Sequence, residues 1–231
     1  MDEREIDAAL TAAEHELAEG HSPDLAVIGF WRAVTAVKKR RVLVDRYAER
    51  IARIDRGAFR LRVRLVLPAA IGAALLALAA IFGLVALFVA ASRDHPLREL
   101  AVLVGMGALL VATHDLAHLV TGAIWGIRFT DWFIAPPMPQ PGLKLDYASY
   151  LRATPVQRAW MHASGAIVSK IVPFAAVPYA LAIGCDTRCV AILLAVGAVS
   201  IVTDLLFSIR AADWKRFRRE MKLARVGART S

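Results

Sequence analysis

His114 and His118 stand at i and i+4 in the stretch Thr113-His114-Asp115-Leu116-Ala117-His118. On a helix that spacing puts both imidazoles on one face, about 6 Å apart along the axis, so that both can donate to one ion. A lone histidine in an apolar stretch is most simply read as bonded to a neighbour; two at ligand spacing with a carboxylate between them point to zinc. A hydrolytic zinc site takes three protein ligands and leaves one position for water, so the third must come from elsewhere in the chain. Asp204 is the one charged residue of the apolar stretch 189–209 and, counted from the helix ends, lies at a depth comparable with His118. It is the first choice, and its competing role is to neutralise Lys170. His162 falls nearer the start of its own apolar stretch and is read as a supporting group or an alternative ligand. Lys170 is the one cation inside any apolar stretch, and burying it calls for a carboxylate, Asp115 or Asp204.

Helices in an apolar medium have to position these groups. The chain has 231 residues, 58% hydrophobic and 21% charged, fewer charges than a soluble domain usually carries. Residues 65–91 hold no charged side chain, and at about 1.5 Å per residue such a helix exceeds the ~30 Å hydrocarbon core. Three further apolar blocks lie at about 100–127, 159–184 and 189–209, and their charged residues are Asp115, Lys170 and Asp204. The expected fold is therefore all-α, a polytopic membrane protein of about four transmembrane helices. The first span lies too far along the chain for a cleaved signal peptide.

A net charge of +9 could suit nucleic acid, but its distribution reads as topology. Lys38, Lys39, Arg40, Arg41 and seven further arginines up to Arg64 precede the first span, and Arg210, Lys215, Arg216, Arg218, Arg219, Lys222, Arg225 and Arg229 follow the last. Both ends are thus expected in the cytoplasm, with residues 1–64 a basic helical segment whose arginines favour anionic headgroups, 65–209 the transmembrane domain and 210–231 a basic tail. Ser22 is expected to cap a helix with Pro23 in its first turn. The turns near 92–99 and 185–188 face outward, where Arg93 and Arg98 are balanced by Asp94 and Glu99, and Arg188 by Asp186. The loop 128–158 faces inward. Pro136, Pro137, Pro139, Pro141 and Gly142 exclude a continuing helix there, and the flanking 128–134 and 143–147 read as short strands or a re-entrant turn. Cys185 and Cys189 imply no disulfide framework. The partners expected are membrane lipids and a transmembrane protein, not nucleic acid, and the expected location is a bacterial inner (cell) membrane.

The arrangement over roughly 100–210 resembles the site-2 protease family of intramembrane metalloproteases. His114 and His118 match the two histidines of that family's His-Glu-x-x-His helix, Ser164-Gly165-Ala166 its small-residue motif on the next helix, and Asp204 its aspartate ligand in order and depth. The resemblance implies a Zn2+ cofactor held by His114, His118 and Asp204, peptide-bond hydrolysis in membrane-spanning substrates, and Asp115 as the residue that takes a proton from the attacking water. Asp115 stands where the family has glutamate, and one methylene fewer withdraws the carboxylate by about 1.5 Å. Leu205 follows Asp204 where the family has glycine. These departures keep a second reading open, a catalytically impaired metal-binding relative that binds or regulates a membrane protein. Two other classes fit less well: a di-iron desaturase needs more histidine boxes than six histidines supply, and a small transporter would be expected to show internal repeats.

Overall fold

The computed structural model describes residues 1–92, 97–135, 140–207 and 213–227, and leaves out the side chains of 135, 140 and 204–207. The outer-turn residues Arg93 and Asp94, the loop prolines Pro136, Pro137 and Pro139, and the side chain of Asp204 therefore lie outside the described residues. The chain divides into two compact units, one of residues 1–69, 123–155 and the end from Leu223, the other of residues 70–122 and 156–222.

The first unit opens with α1, Glu3–Ala18, whose start is set by a capping box: Asp2 accepts from the Glu5 amide at 2.8 Å, and Glu5 accepts from the Asp2 amide at 2.7 Å. Its buried face, Ile6, Ala9, Leu10 and Ala13, has the i, i+3, i+4, i+7 spacing of a packed helix. That face joins Phe30, Ala33, Val34 and Val37 of α2 (Phe30–Val37) and Tyr47, Ile51 and Ile54 of α3 (Arg41–Arg62) in one core. The Ser22 cap is not formed. Asp24 instead accepts from the amides of Ala26 and Val27 at 3.0 and 3.2 Å, closing a turn, and α2 begins only after Gly29, whose φ of 85° favours glycine.

Several cations expected at headgroups are spent inside this unit. Arg50 bonds Glu14 through Nε and NH2 at 2.9 and 2.7 Å and Asp7 through NH1 at 2.8 Å, while Arg46 pairs with Glu3 and Arg62 bonds Ser22. The acids of α1 are thus the partners of the arginines of α3.

An antiparallel sheet completes the unit and takes the fold beyond all-α. β1 (Leu65–Pro68), β2 (Phe129–Ala135) and β3 (Gln140–Leu145) lie in that order, with Leu67 opposite Trp132 and Trp132 opposite Leu143. Pro68 explains why the first apolar block does not begin as helix: proline holds the residue before it extended, and its missing amide is tolerated in an outer strand. The sheet packs on α3 through Phe59 and Phe133, whose ring centres are 4.9 Å apart, and Gly142 leaves room for the Phe133 ring, which a β-carbon there would meet at 2.8 Å. Lys144 of β3 reaches Asp55 of α3, both nearly enclosed. A short helix, α6 (Tyr147–Arg152), follows, capped by Asp146, which accepts from the Ser149 amide at 3.1 Å and from Arg56 and Arg128 at 3.3 Å each.

The second unit contains α4 (Ala69–Ala90), α5 (Arg98–Ile124), α7 (Pro155–Ala182), α8 (Thr187–Phe207) and α9 (Asp213–Gly227) as far as Lys222. The first three are long and apolar enough to cross a membrane; the described apolar part of α8, Thr187–Thr203, is shorter. Small residues let these helices approach closely. A β-carbon at Gly83 of α4 would meet the Gly105 carbonyl of α5 at 2.8 Å, and one at Gly197 of α8 would meet the Phe174 ring of α7 at 2.8 Å. Ile71, Leu75, Leu78, Phe82, Val85 and Phe88 of α4 are exposed, an apolar surface that suits lipid better than water. Cys185 and Cys189 are free thiols.

Candidate metal centre

The site is assembled by α5, α7 and α9. The i, i+4 spacing on α5 brings the His114 and His118 rings to 4.9 Å between centres, one nearly perpendicular to the other. Each ring is then oriented from α7. His118 Nδ1 lies 2.7 Å from the Met161 carbonyl, which can only accept, so Nδ1 carries the proton. His114 Nδ1 lies 2.7 Å from Ser169 Oγ, whose own hydroxyl donates to the Gly165 carbonyl at 2.8 Å; the serine therefore accepts from His114. Both imidazoles are fixed with their Nε2 atoms turned away from α7 and towards another partner, the outer-shell arrangement that metal-ligating histidines characteristically have.

That partner is Asp213, the first residue of α9. Its Oδ2 lies 3.3 Å from His118 Nε2 and 3.5 Å from His114 Nε2, and its Oδ1 lies 3.5 Å from Arg216. The ligand atoms of His114, His118 and Asp213 all lie within 4.8 Å of one another. Three Lewis bases this close together are a set that one cation could bridge. Burial alone pushes the Asp213 carboxyl up, but the hydrogen bond from His118 and the charges of His118, Arg216 and His114 hold it below the usual carboxylate range. A zinc ion would use all three donors. Two nitrogens and one oxygen leaving an open position is the donor set of a hydrolytic zinc site, so the residues fit that ion.

Gly165 is part of the construction. A β-carbon there would lie 2.4 Å from His118 Nε2 and 2.9 Å from the His114 carbonyl, so α7 can carry its two acceptors to the histidines only with glycine at this position. Of the residues singled out in the sequence, His114 and His118 come together, and the small-residue motif touches them through Gly165. Asp115 is half-buried and within electrostatic reach of His114, His118 and Asp213, without being one of the three converging groups. His162 is buried next to Met161, and Lys170 follows Ser169 on α7; neither belongs to the trio. Among the described residues Asp213 is the carboxylate that joins the pair; the side chain of Asp204, the choice made from the sequence, lies outside them.

Asp213, Ser169 and the Met161 carbonyl were not singled out beforehand. A carbonyl has no signature in the sequence, and a serine inside a helix is common. Asp213 had one: it is an isolated acid among Arg210, Lys215, Arg216, Arg218 and Arg219, at the head of a segment with helical composition. Comparison of the chain with protein-family models, with curated proteins and with solved structures finds no match.

Proposed function

We propose that this chain is an intramembrane zinc hydrolase of the site-2 protease type, cutting peptide bonds of membrane-spanning substrates. The observation that supports it is the convergence of two oriented Nε2 atoms on one oxygen of Asp213. Zinc at such a site supplies Lewis acidity and a water whose pKa falls towards 7. In this reading His114, His118 and Asp213 are the ligands, and Asp115, on the same helix, accepts the proton of the attacking water. A helical peptide bond is shielded by its own hydrogen bonds, so the substrate has to unwind.

The accompanying topology has α4, α5, α7 and α8 as spans of a bacterial inner membrane and both termini in the cytoplasm, because cations gather before α4 and after α8. With Cys185→Ala and Cys189→Ala, cysteines placed at Ser22 and Ser231 should resist membrane-impermeant thiol reagents in intact cells; labelling of either from outside refutes this orientation.

The second reading, a metal-binding relative that regulates a membrane partner, draws on Asp115, which is one methylene shorter than glutamate and outside the trio. Elemental analysis of the purified chain should find about one zinc, lost on His114→Ala or His118→Ala. Hydrolysis of transmembrane substrates in zinc-loaded vesicles should vanish with Asp115→Asn while zinc stays bound. If wild type, Asp115→Asn and Asp115→Glu all bind zinc and all leave such substrates uncut, hydrolysis is excluded and the regulatory reading stands.

A further inference from the structure

The third ligand does not come from the helix that carries the histidines, nor from α7, but from α9. Asp213, Phe217 and Glu220 recur at i, i+4 and i+7, which places them on one face of that helix. Each has a partner in the second unit. Asp213 meets the histidines, Phe217 packs edge-on against Trp160 with ring centres 5.5 Å apart, and Glu220 accepts from Arg158 Nε at 2.7 Å. The Arg158 and Glu220 side chains are 2% and 0% exposed. Away from that face, Lys215, Arg218, Arg219, Lys222 and Arg225 are exposed, while Arg216, exposed at its edge, reaches Asp213 Oδ1.

A fully buried ion pair is a poor source of net stability, because desolvating two charges offsets their attraction; its best-attested use is to fix register. An aromatic contact such as Trp160–Phe217 tolerates rotation and sliding of a helix, whereas a directional N–H to carboxylate bond does not. The α7 residues involved also share one face: Arg158, Met161, Gly165 and Ser169 follow at i, i+3, i+7 and i+11. One stripe of α7 therefore holds α9, orients His118, makes room for its ring and orients His114.

We propose that Arg158 and Glu220 are a positioning pair that sets the register of α9 and so presents Asp213 to the metal, making zinc affinity depend on an ion pair that touches no ligand. This rests on the zinc reading above. The experiment is competition for zinc against a chromogenic chelator, on the full-length chain in detergent. Wild type, Asp213→Ala, Glu220→Gln, the Asp213→Ala/Glu220→Gln double variant and the charge swap Arg158→Glu/Glu220→Arg are compared. Glu220→Gln should weaken zinc about 10- to 100-fold, as loss of an outer-shell partner does. The double variant should be no weaker than Asp213→Ala alone, because both changes remove the same ligand. The swap should regain most of the wild-type affinity, and it decides the matter if Glu220→Gln fails to fold. Zinc binding that depends on Asp213 but is unchanged by Glu220→Gln, or a double variant whose losses add, overturns the positioning pair alone. Wild type that binds no zinc overturns the metal reading and this proposal together.

Discussion

Substituting Gly165→Ala tests the site through a single methyl group. The new β-carbon would lie 2.4 Å from His118 Nε2, 2.8 Å from its Cε1 and 2.9 Å from the His114 carbonyl. Ordinary contact needs about 3.4 Å or more, so roughly 1 Å of movement is required, a shift that packed interiors resist. The His114 carbonyl is helix backbone and cannot swing aside. The His118 ring is held by its 2.7 Å bond to Met161, and turning it away breaks that bond. Overpacking of this kind costs about 1–3 kcal/mol of stability. The effect on zinc should be larger, because ligand distances tolerate only about ±0.2 Å: a 1 Å displacement of Nε2 is expected to weaken zinc about 100-fold, or about 2.7 kcal/mol. Chelator competition on the purified chain measures this, with Gly107→Ala as control, since a β-carbon at Gly107 meets nothing within 4 Å. Wild-type zinc affinity in Gly165→Ala would refute the close approach of α7 to His118.

Two further predictions concern the first unit and are read by pulse proteolysis of α1–α3 in the full chain. Lys144→Met strands the Asp55 carboxylate, whose side chain is 7% exposed, and should destabilise the unit by about 3 kcal/mol, most of it recovered by adding Asp55→Asn; no loss in the single variant would refute the pairing. The Asp146 carboxyl is pushed up by burial, but hydrogen bonds from Ser149 and the charges of Arg128 and Arg56 hold it below its ordinary value. Its contribution is therefore intact above the ordinary carboxylate pKa of about 4 and lost as pH falls through the lowered value. Asp55 has the opposite sign, since burial outweighs Lys144 and raises its pKa, so its contribution is lost as pH rises through the raised value. Asp146→Asn should flatten the acid limb of the stability profile, and an unchanged limb would show that Asp146 does not carry it.

The apolar helices were legible because the bilayer imposes a single length and a single composition on any span. Residues 69–90, 98–124 and 155–182 all lie within or beside the expected blocks. The first unit was less legible, because its stabilising pairs are long-range. Glu14 and Asp7 on one helix meet Arg50 on another, and Lys144 meets Asp55 across the sheet. A run of arginines read alone looks solvated or lipid-facing; only the acids of α1, far away in sequence, reveal that it is an internal seam. Pro68 was the local sign that the apolar block at 65 begins as strand.

At the site, the histidine pair was legible because both residues ride on one helix and helical geometry alone brings them together. The carboxylate that joins the pair among the described residues lies across a gap in sequence, and matching depth along apolar stretches favours residues inside them. That criterion selects Asp204 and passes over Asp213, which follows the last apolar block. An acid at the start of an amphipathic helix nevertheless has two advantages as a ligand. The helix dipole favours its negative charge there, and its position can be set by contacts further along the same face, as Phe217 and Glu220 do here. The rings of His114 and His118 are oriented by Ser169 and Met161 of α7. Asp213→Asn, which keeps the size and removes the charge, should therefore weaken zinc while leaving the two imidazoles oriented. Its signature would be a histidine Nδ1–H pattern unchanged from wild type in NMR of the metal-free chain, and a changed pattern would show that Asp213, rather than α7, orients the rings.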